Sequence, residues 1–278
     1  MNKTMKLIME KMQVASVVLA AMLACPLGVS AQSVRGDCDY DGDLDISDLT
    51  QLISYVLTDE WNDQLPNVQR DTIMVNNVPL VMVHVEGGSY EMGSGITATV
   101  ADFSIGQTEV TNELWKAVMG GTSPNYFITR YYPVHDVGLA KCQEFITKLN
   151  EMTGLQFRLP RTTEWEWAAR GGKLSRGYTF AGAQILDLVG WYNVNSSTSL
   201  RQVACLYPNE LGLYDMSGNL REYCIDAFTG GYSDRGGSYL DDPEDCMIIR
   251  QNNATTLASG QSGTMIRGSV QYGLRLAL

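Results

Sequence analysis

Two stretches of this chain place oxygen ligands at spacings that suit a hard cation. The first runs from Asp37 to Asp48 and holds six aspartates, Asp37, Asp39, Asp41, Asp43, Asp45 and Asp48. Counted from Asp37, carboxylates fall at positions one, three, five, nine and twelve, with Gly42 at six and the apolar Leu44 at eight. Converging carboxylates around a glycine that permits a sharp bend are the arithmetic of a calcium loop. The last ligand is Asp rather than Glu, and so is shorter. The second stretch is Gly212 to Asp226, where Ser217-Gly218-Asn219 reads as a turn because Gly and Asn tolerate positive φ. That turn separates Asp215 from Glu222 and leaves backbone carbonyls between them, a second candidate cage for Ca2+.

Other chemistries find less support. The two histidines are His84, in the alternating run 81–85, and His135, in a loop-like context, and no CxxC occurs, so a Cys/His zinc site is not indicated. Catalytic triads, phosphate loops and HExxH are absent. Among 31 Asp and Glu nothing singles out a pair for glycoside hydrolysis. Cys142 lies on an apolar helical stripe and reads as core.

The elements that must position these residues start with the N-terminus. Lys3, Lys6 and Lys11 precede the apolar run 14–23, and Val29-Ser30-Ala31 is a small-residue cleavage site. Residues 1–31 therefore read as a secretory signal peptide, with lipoprotein processing at Cys25 as the competing reading. Removing them takes the formal charge from −11 to −13, through loss of three lysines and one glutamate. So acidic a chain, without a basic run, argues against nucleic acid and anionic membranes as partners. It suits a secreted, periplasmic or outer-surface protein that holds calcium. Five cysteines would remain, and the spacings name no disulfide pairing. No later segment approaches membrane-spanning length.

After the aspartate loop, Leu49, Leu52, Ile53 and Val56 recur at helical spacing, which makes the unit 36–57 EF-hand-like. Residues 58–70 are polar and read as a linker. From Thr72 to Met92 apolar and polar residues alternate around Asn76-Asn77, which predicts a β-hairpin. Thr111 is a candidate N-cap for a helix stopped by Gly120-Gly121. A second helix is expected over 139–153, with Leu139, Cys142, Phe145, Ile146, Leu149 and Met152 on one face and Gly154 as its stop. Thr163 and Glu166 fit a capping box, with Trp165 and Trp167 as core anchors. Arg158, Glu164 and Arg170 suggest an ion-pair network.

Two resemblances organise these observations. The string "GDCDYDGDLDISDLTQLISYVL" resembles one repeat of a type I dockerin; a full dockerin pairs two repeats and binds a cohesin, so a cohesin-like partner is implied. Five ordered blocks resemble the formylglycine-generating enzyme, or sulfatase-modifying factor, family. They are "VEGGSYEMGS", "FSIGQTEVTNELWKAVMG", "FRLPRTTEWEWAARGG", "YPNELGLYDMSGNLREYCID", and "RGGSY" followed by the terminal "YGLRLAL". The resemblance implies an α+β fold over 71–278, with a C-type-lectin-like core and much irregular structure. It also implies that Asp215, Gly218, Leu220 and Glu222 bind calcium, the middle two through carbonyls.

The family's enzymes are copper oxidases that convert a sulfatase cysteine in a CxPxR segment to formylglycine. Their two copper-binding cysteines lie five residues apart. Here the second position is Cys246 but the first is Asp241, a hard oxygen ligand unsuited to Cu(I). Ser238 matches the family's active-site serine, and Arg221 stands where the family has tryptophan. The catalytic candidates by resemblance are thus Cys246 and Ser238, and copper is not expected. The expected function is a secreted or envelope-associated calcium-binding module that holds a protein or glycan without catalysis. The alternative is a formylglycine-generating oxidase.

Overall fold

The computed structural model describes residues 68–121, 130–255 and 270–278. The span read as a signal peptide, the six aspartates of the expected calcium loop and nearly all of the span read as a linker lie outside the described residues.

Local chemistry accounts for the first elements. β1 (Arg70–Val75) and β2 (Val78–Val85) form an antiparallel hairpin. Its two turn residues, Asn76 (φ 47°) and Asn77 (φ 66°), are both left-handed, which matches the twist of the flanking strands. β1 starts at Arg70, the end of the span read as linker. β3 (Gly88–Glu91) and β4 (Thr97–Val100) form a second hairpin, and β5 (Phe103–Gly106) completes a sheet in the order β1-β2-β5. α1 (Asn112–Met119) is capped by Thr111, whose hydroxyl accepts from the Leu114 N–H at 3.2 Å, and Gly120 ends it.

α2 (Leu139–Thr153) stops at Gly154 in the left-handed conformation (φ 72°). Leu139, Cys142, Phe145 and Leu149 are buried along it, but Met152 is 43% exposed and Ile146 only half-buried. The apolar stripe is one turn shorter than its sequence periodicity suggests. Phe145 stacks on Trp115 of α1 with centroids 4.9 Å apart, which joins the two helices. α3 (Thr162–Ala169) departs from expectation at its start. Glu164, not Glu166, reaches back to the Arg161 N–H at 2.8 Å. Glu166 lies in the core instead, pairing with Arg170 at 2.8 Å and Arg235 at 3.1 Å. The expected three-member network is therefore split: Arg158 meets Glu164 at 2.6 Å, whereas Arg170 shares Glu166 with Arg235.

β6 (Arg221–Ile225), β7 (Tyr232–Arg235), β8 (Gln251–Thr255) and β9 (Tyr272–Gly273) form the second main sheet, in the order β8-β7-β6-β9. β9 runs parallel to β6. Beyond it the last residues thread through the centre of the domain. The Gly106 N–H donates to the Leu276 carbonyl (2.8 Å), Val110 to Leu274 (2.9 Å) and Arg158 to Ala277 (2.9 Å). This thread carries Arg275 into the interior. Along β6 successive side chains alternate. Glu222 and Cys224 face α3, whereas Tyr223 and Ile225 join the core built on α1 and α2.

Candidate functional site

The 212–226 turn is held by backbone strain that its sequence anticipates. Asp215 (φ 59°), Gly218 (φ 88°) and Asn219 (φ 58°) are all left-handed. A Cβ on Gly218 would sit 2.1 Å from the Trp191 carbonyl oxygen, so both conformation and space demand glycine. Asn219 is tied at four points. Its N–H donates to Trp191 O (2.8 Å), its carbonyl accepts from Tyr239 N (2.8 Å), its Oδ1 accepts from Arg201 N (3.2 Å) and its Nδ2 donates to Glu109 Oε2 (2.7 Å).

The two expected carboxylates have different surroundings. Glu222 is fully buried and already well supplied. Its oxygens accept from Arg275 Nε (3.0 Å) and Nη2 (2.7 Å) and from Trp165 Nε1 (2.6 Å). Asp215 is 3% exposed, and its Oδ2 accepts from the Ala204 N–H at 2.7 Å. Its Oδ1 is buried with no hydrogen-bond partner. Sequence reasoning missed a third buried carboxylate, Glu109, which is 1% exposed and accepts from Leu220 N (3.0 Å) and Asn219 Nδ2 (2.7 Å). It lies 110 residues from Asn219 in the chain, and no local signal joins it to the turn.

Three acids thus share one buried cation, Arg275. Burial, then Asp215 and Glu222, pushes the Glu109 carboxyl well above the usual range. Burial lifts Asp215 to about 6, against the Ala204 N–H and Arg275. Burial also disfavours the Arg275 charge, but Glu222, then Glu109 and Asp215, holds it on the guanidinium. Among the described residues no three His, Cys, Asp or Glu side chains are grouped as metal ligands. A calcium site here would use Asp215 Oδ1 and the turn carbonyls, and Glu222 would have to share with the ion the oxygens that Arg275 and Trp165 engage. The unpartnered buried oxygen of Asp215 fits a hard cation.

The other face of β6 holds the candidates for copper. Ser238 donates its hydroxyl to Asp241 Oδ2 at 2.6 Å. Asp241 Oδ1 pairs with Arg221 Nη2 at 2.7 Å, and Arg221 Nη1 meets Asp234 at 3.2 Å. Gln271 Nε2 donates to Ser238 Oγ (3.0 Å), and Tyr272 OH to Asp234 (3.3 Å). Burial works against the Arg221 charge, but Asp241 and Asp234 outweigh it and raise the guanidinium pKa. Cys246 is fully buried against Phe180, Leu186, Val189 and Tyr192. Its thiol is pushed up to about 12, by burial first and by Asp241 second. Linear Cu(I) takes two soft thiolates, and Asp241, a hard oxygen donor already paired with Arg221 and Ser238, does not supply the second one.

Residues 71–277 match the family model described as a sulfatase-modifying factor enzyme 1-like domain. This chain belongs to that family. Among its relatives is the chaperone protein LppX of Paenibacillus barcinonensis, 29% identical over 197 aligned positions, which cover 51% of this chain and 70% of the relative. The formylglycine-generating enzyme of Streptomyces coelicolor is 30% identical over 141 positions, covering 38% of this chain and 45% of that enzyme. The chain thus spans under half of the curated oxidase. Among solved structures, Treponema denticola variable protein 1 superposes with a TM-score of 0.65 at 24% identity, covering 75% of this chain and 98% of that one. PvdO from Pseudomonas aeruginosa gives a TM-score of 0.57 at 20% identity, covering 74% and 97%. Both show the sulfatase-modifying factor fold, an irregular α+β domain with few helices.

Proposed function

We propose that this chain is an extracytoplasmic, calcium-holding member of the sulfatase-modifying factor family that binds a protein or glycan of the cell envelope and does not oxidise cysteine. The ion pair between Arg221 and Asp241 carries this reading, because it occupies the position where the family's oxidases need a thiolate. The hydrogen bond from Ser238 to the other oxygen of Asp241 supports it further, since it leaves that carboxylate fully engaged. A relative named as a chaperone favours a protein ligand. Export, by the plain signal or by lipid attachment at Cys25, agrees with the acidic composition. No helix among the described residues is long and apolar enough to cross a membrane. The dockerin-like loop would add a second calcium ion and a docking point for a cohesin-like partner.

The calcium reading rests on Asp215. Its Oδ1 is the free oxygen of the set, and an ion there would supply the partner it lacks.

A Cu(I) titration of the reduced protein beside Cys246→Ser, with a CxPxR peptide and oxygen read by mass spectrometry, tests the catalytic side. The expected result is no tight copper and no peptide aldehyde in either protein. Aldehyde that forms with the parent protein and disappears in the variant would establish the oxidase reading instead.

A further inference from the structure

Glu109 has no place in the calcium set, yet it grips the turn from which that set is built. It is buried, and both its oxygens are engaged, one by Leu220 N–H and the other by Asn219 Nδ2. Those contacts are to the turn itself and give it another part. Asn219 lies between the two residues whose carbonyls the family match assigns to the ion. Its left-handed backbone (φ 58°) follows that of Gly218, so the orientation of the Gly218 carbonyl depends on how firmly this residue is held, and the Leu220 N–H bond to Glu109 fixes the start of the residue that bears the other carbonyl. The Asn219 amide otherwise rests on loop backbone at Trp191, Arg201 and Tyr239.

The platform under Glu109 is rigid by comparison. Glu109 precedes Val110, whose N–H donates to Leu274 O at 2.9 Å and whose carbonyl accepts from Val134 N at 2.8 Å. The Thr111 cap of α1 follows directly. A carboxylate fixed at this point crosses the interior to hold the turn in one shape before any ion arrives. An ion site whose carbonyls are already aimed loses less conformational freedom on binding.

We propose that Glu109 is a positioning residue that preforms the calcium-binding turn by clamping Asn219 and Leu220. The proposal rests on the calcium reading above, and its test separates the two.

Calcium affinity would be measured on the full chain carrying Asp37→Ala and Asp41→Ala, so that the N-terminal loop does not contribute. Three further variants are compared with that parent. Glu109→Gln removes the charge and one acceptor. Glu109→Asp keeps the charge but withdraws the oxygens by one methylene. Val118→Ala trims the buried face of α1, leaves the clamp intact and serves as the stability control. The expected result is that the parent binds one ion and that both Glu109 variants weaken its dissociation constant at least tenfold. The rise in melting temperature on adding calcium should shrink in both. Val118→Ala should melt earlier with and without calcium, while its calcium-induced rise stays equal to the parent's.

Parent-like affinity in both Glu109 variants would overturn the proposal and leave the calcium reading standing. Weakening in Glu109→Gln alone would overturn it too, since the residue would then act through charge and not position. A parent that binds no ion would defeat the calcium reading and this inference together. A Glu109→Gln protein too unstable to titrate would leave the decision to Glu109→Asp.

Discussion

Adjacent residues of one strand, Arg221 and Glu222, look into two polar regions that solve the burial of charge in different ways. On the Arg221 side, the oxygens of Asp241 are met by Arg221, Ser238 and Gln271, and Asp234 is met by Arg221 and Tyr272. On the Glu222 side, one arginine serves three acids, and Asp215 Oδ1 has no partner. The first region is internally complete and offers nothing to a soft metal. The second keeps a buried carboxylate oxygen that nothing in it satisfies. The difference is instructive, because both regions lie where the family's enzymes bind a metal, and a carboxylate withdrawn from water has opposite meaning depending on which of its oxygens are already paired.

The contrast can be broken most severely at Arg275. Its replacement by alanine strands Glu222 in the interior, and removal of one partner of a buried pair costs about 3–5 kcal/mol. Chemical denaturation should show a loss of that size; an effect under about 1 kcal/mol would mean that the Arg275–Glu222 pair contributes little to the fold.

Calcium comes next. Saturation at a hundred times the dissociation constant stabilises a protein by about 2.7 kcal/mol per site. EDTA should therefore lower the melting temperature, and Asp215→Asn should remove the part of that effect that survives silencing of the N-terminal loop. An EDTA-insensitive melting temperature would count against both proposed calcium sites.

The acid side of the comparison sharpens with pH. Asp215 is an acid whose folded pKa is raised, from 3.8 to about 6, and Glu109 is shifted in the same direction. The folded state therefore holds protons that the unfolded chain has released. In EDTA, stability should fall as pH rises from about 4 through 6, by up to about 1.4 kcal/mol per pH unit for each proton lost. It should then level off above the folded pKa. Saturating calcium should flatten or reverse the trend, since the ion prefers the deprotonated acids. Urea midpoints at pH 5 and pH 7, with and without calcium, measure both.

The smaller effects belong to the completed region. Asp241→Asn should cost about 1–2 kcal/mol, because it weakens one charge-assisted contact while Asp234 still holds Arg221. Cys246 should resist thiol reagents at pH 8 in the native protein and react on unfolding, as its thiol is pushed up to about 12. Rapid native labelling would show that the segment opens.

Features that depend on a few neighbouring residues were legible in the sequence. Asn76-Asn77 announced its hairpin, Thr111 its cap, and Gly154 the end of α2 at the residue observed. The positive-φ turn at Gly218-Asn219 and the pairing of Arg158 with Glu164 were legible for the same reason. The family followed from ordered blocks that together run through most of the domain. Where two local choices competed, the sequence could not arbitrate. Glu166 has the spacing of a capping residue, but Arg235, brought in by β7, draws it into the core. Met152 continues an apolar stripe that no partner covers.

The candidate site divides along the same line. The chain by itself supplied Asp215, the turn and Glu222, and it placed Asp241 and Arg221 where the family has cysteine and tryptophan. Only the tertiary structure decided that Arg221 and Asp241 neutralise each other, that Arg275 occupies Glu222, and that Glu109 clamps the turn. Each of these contacts joins segments separated by 20 to 111 residues, as the numbering of Arg221–Asp241 and Glu109–Leu220 shows. Charges that distant meet only when the C-terminal thread and the sheets close around them, and burial then determines which carboxylates are fully paired and which keeps an oxygen without a partner.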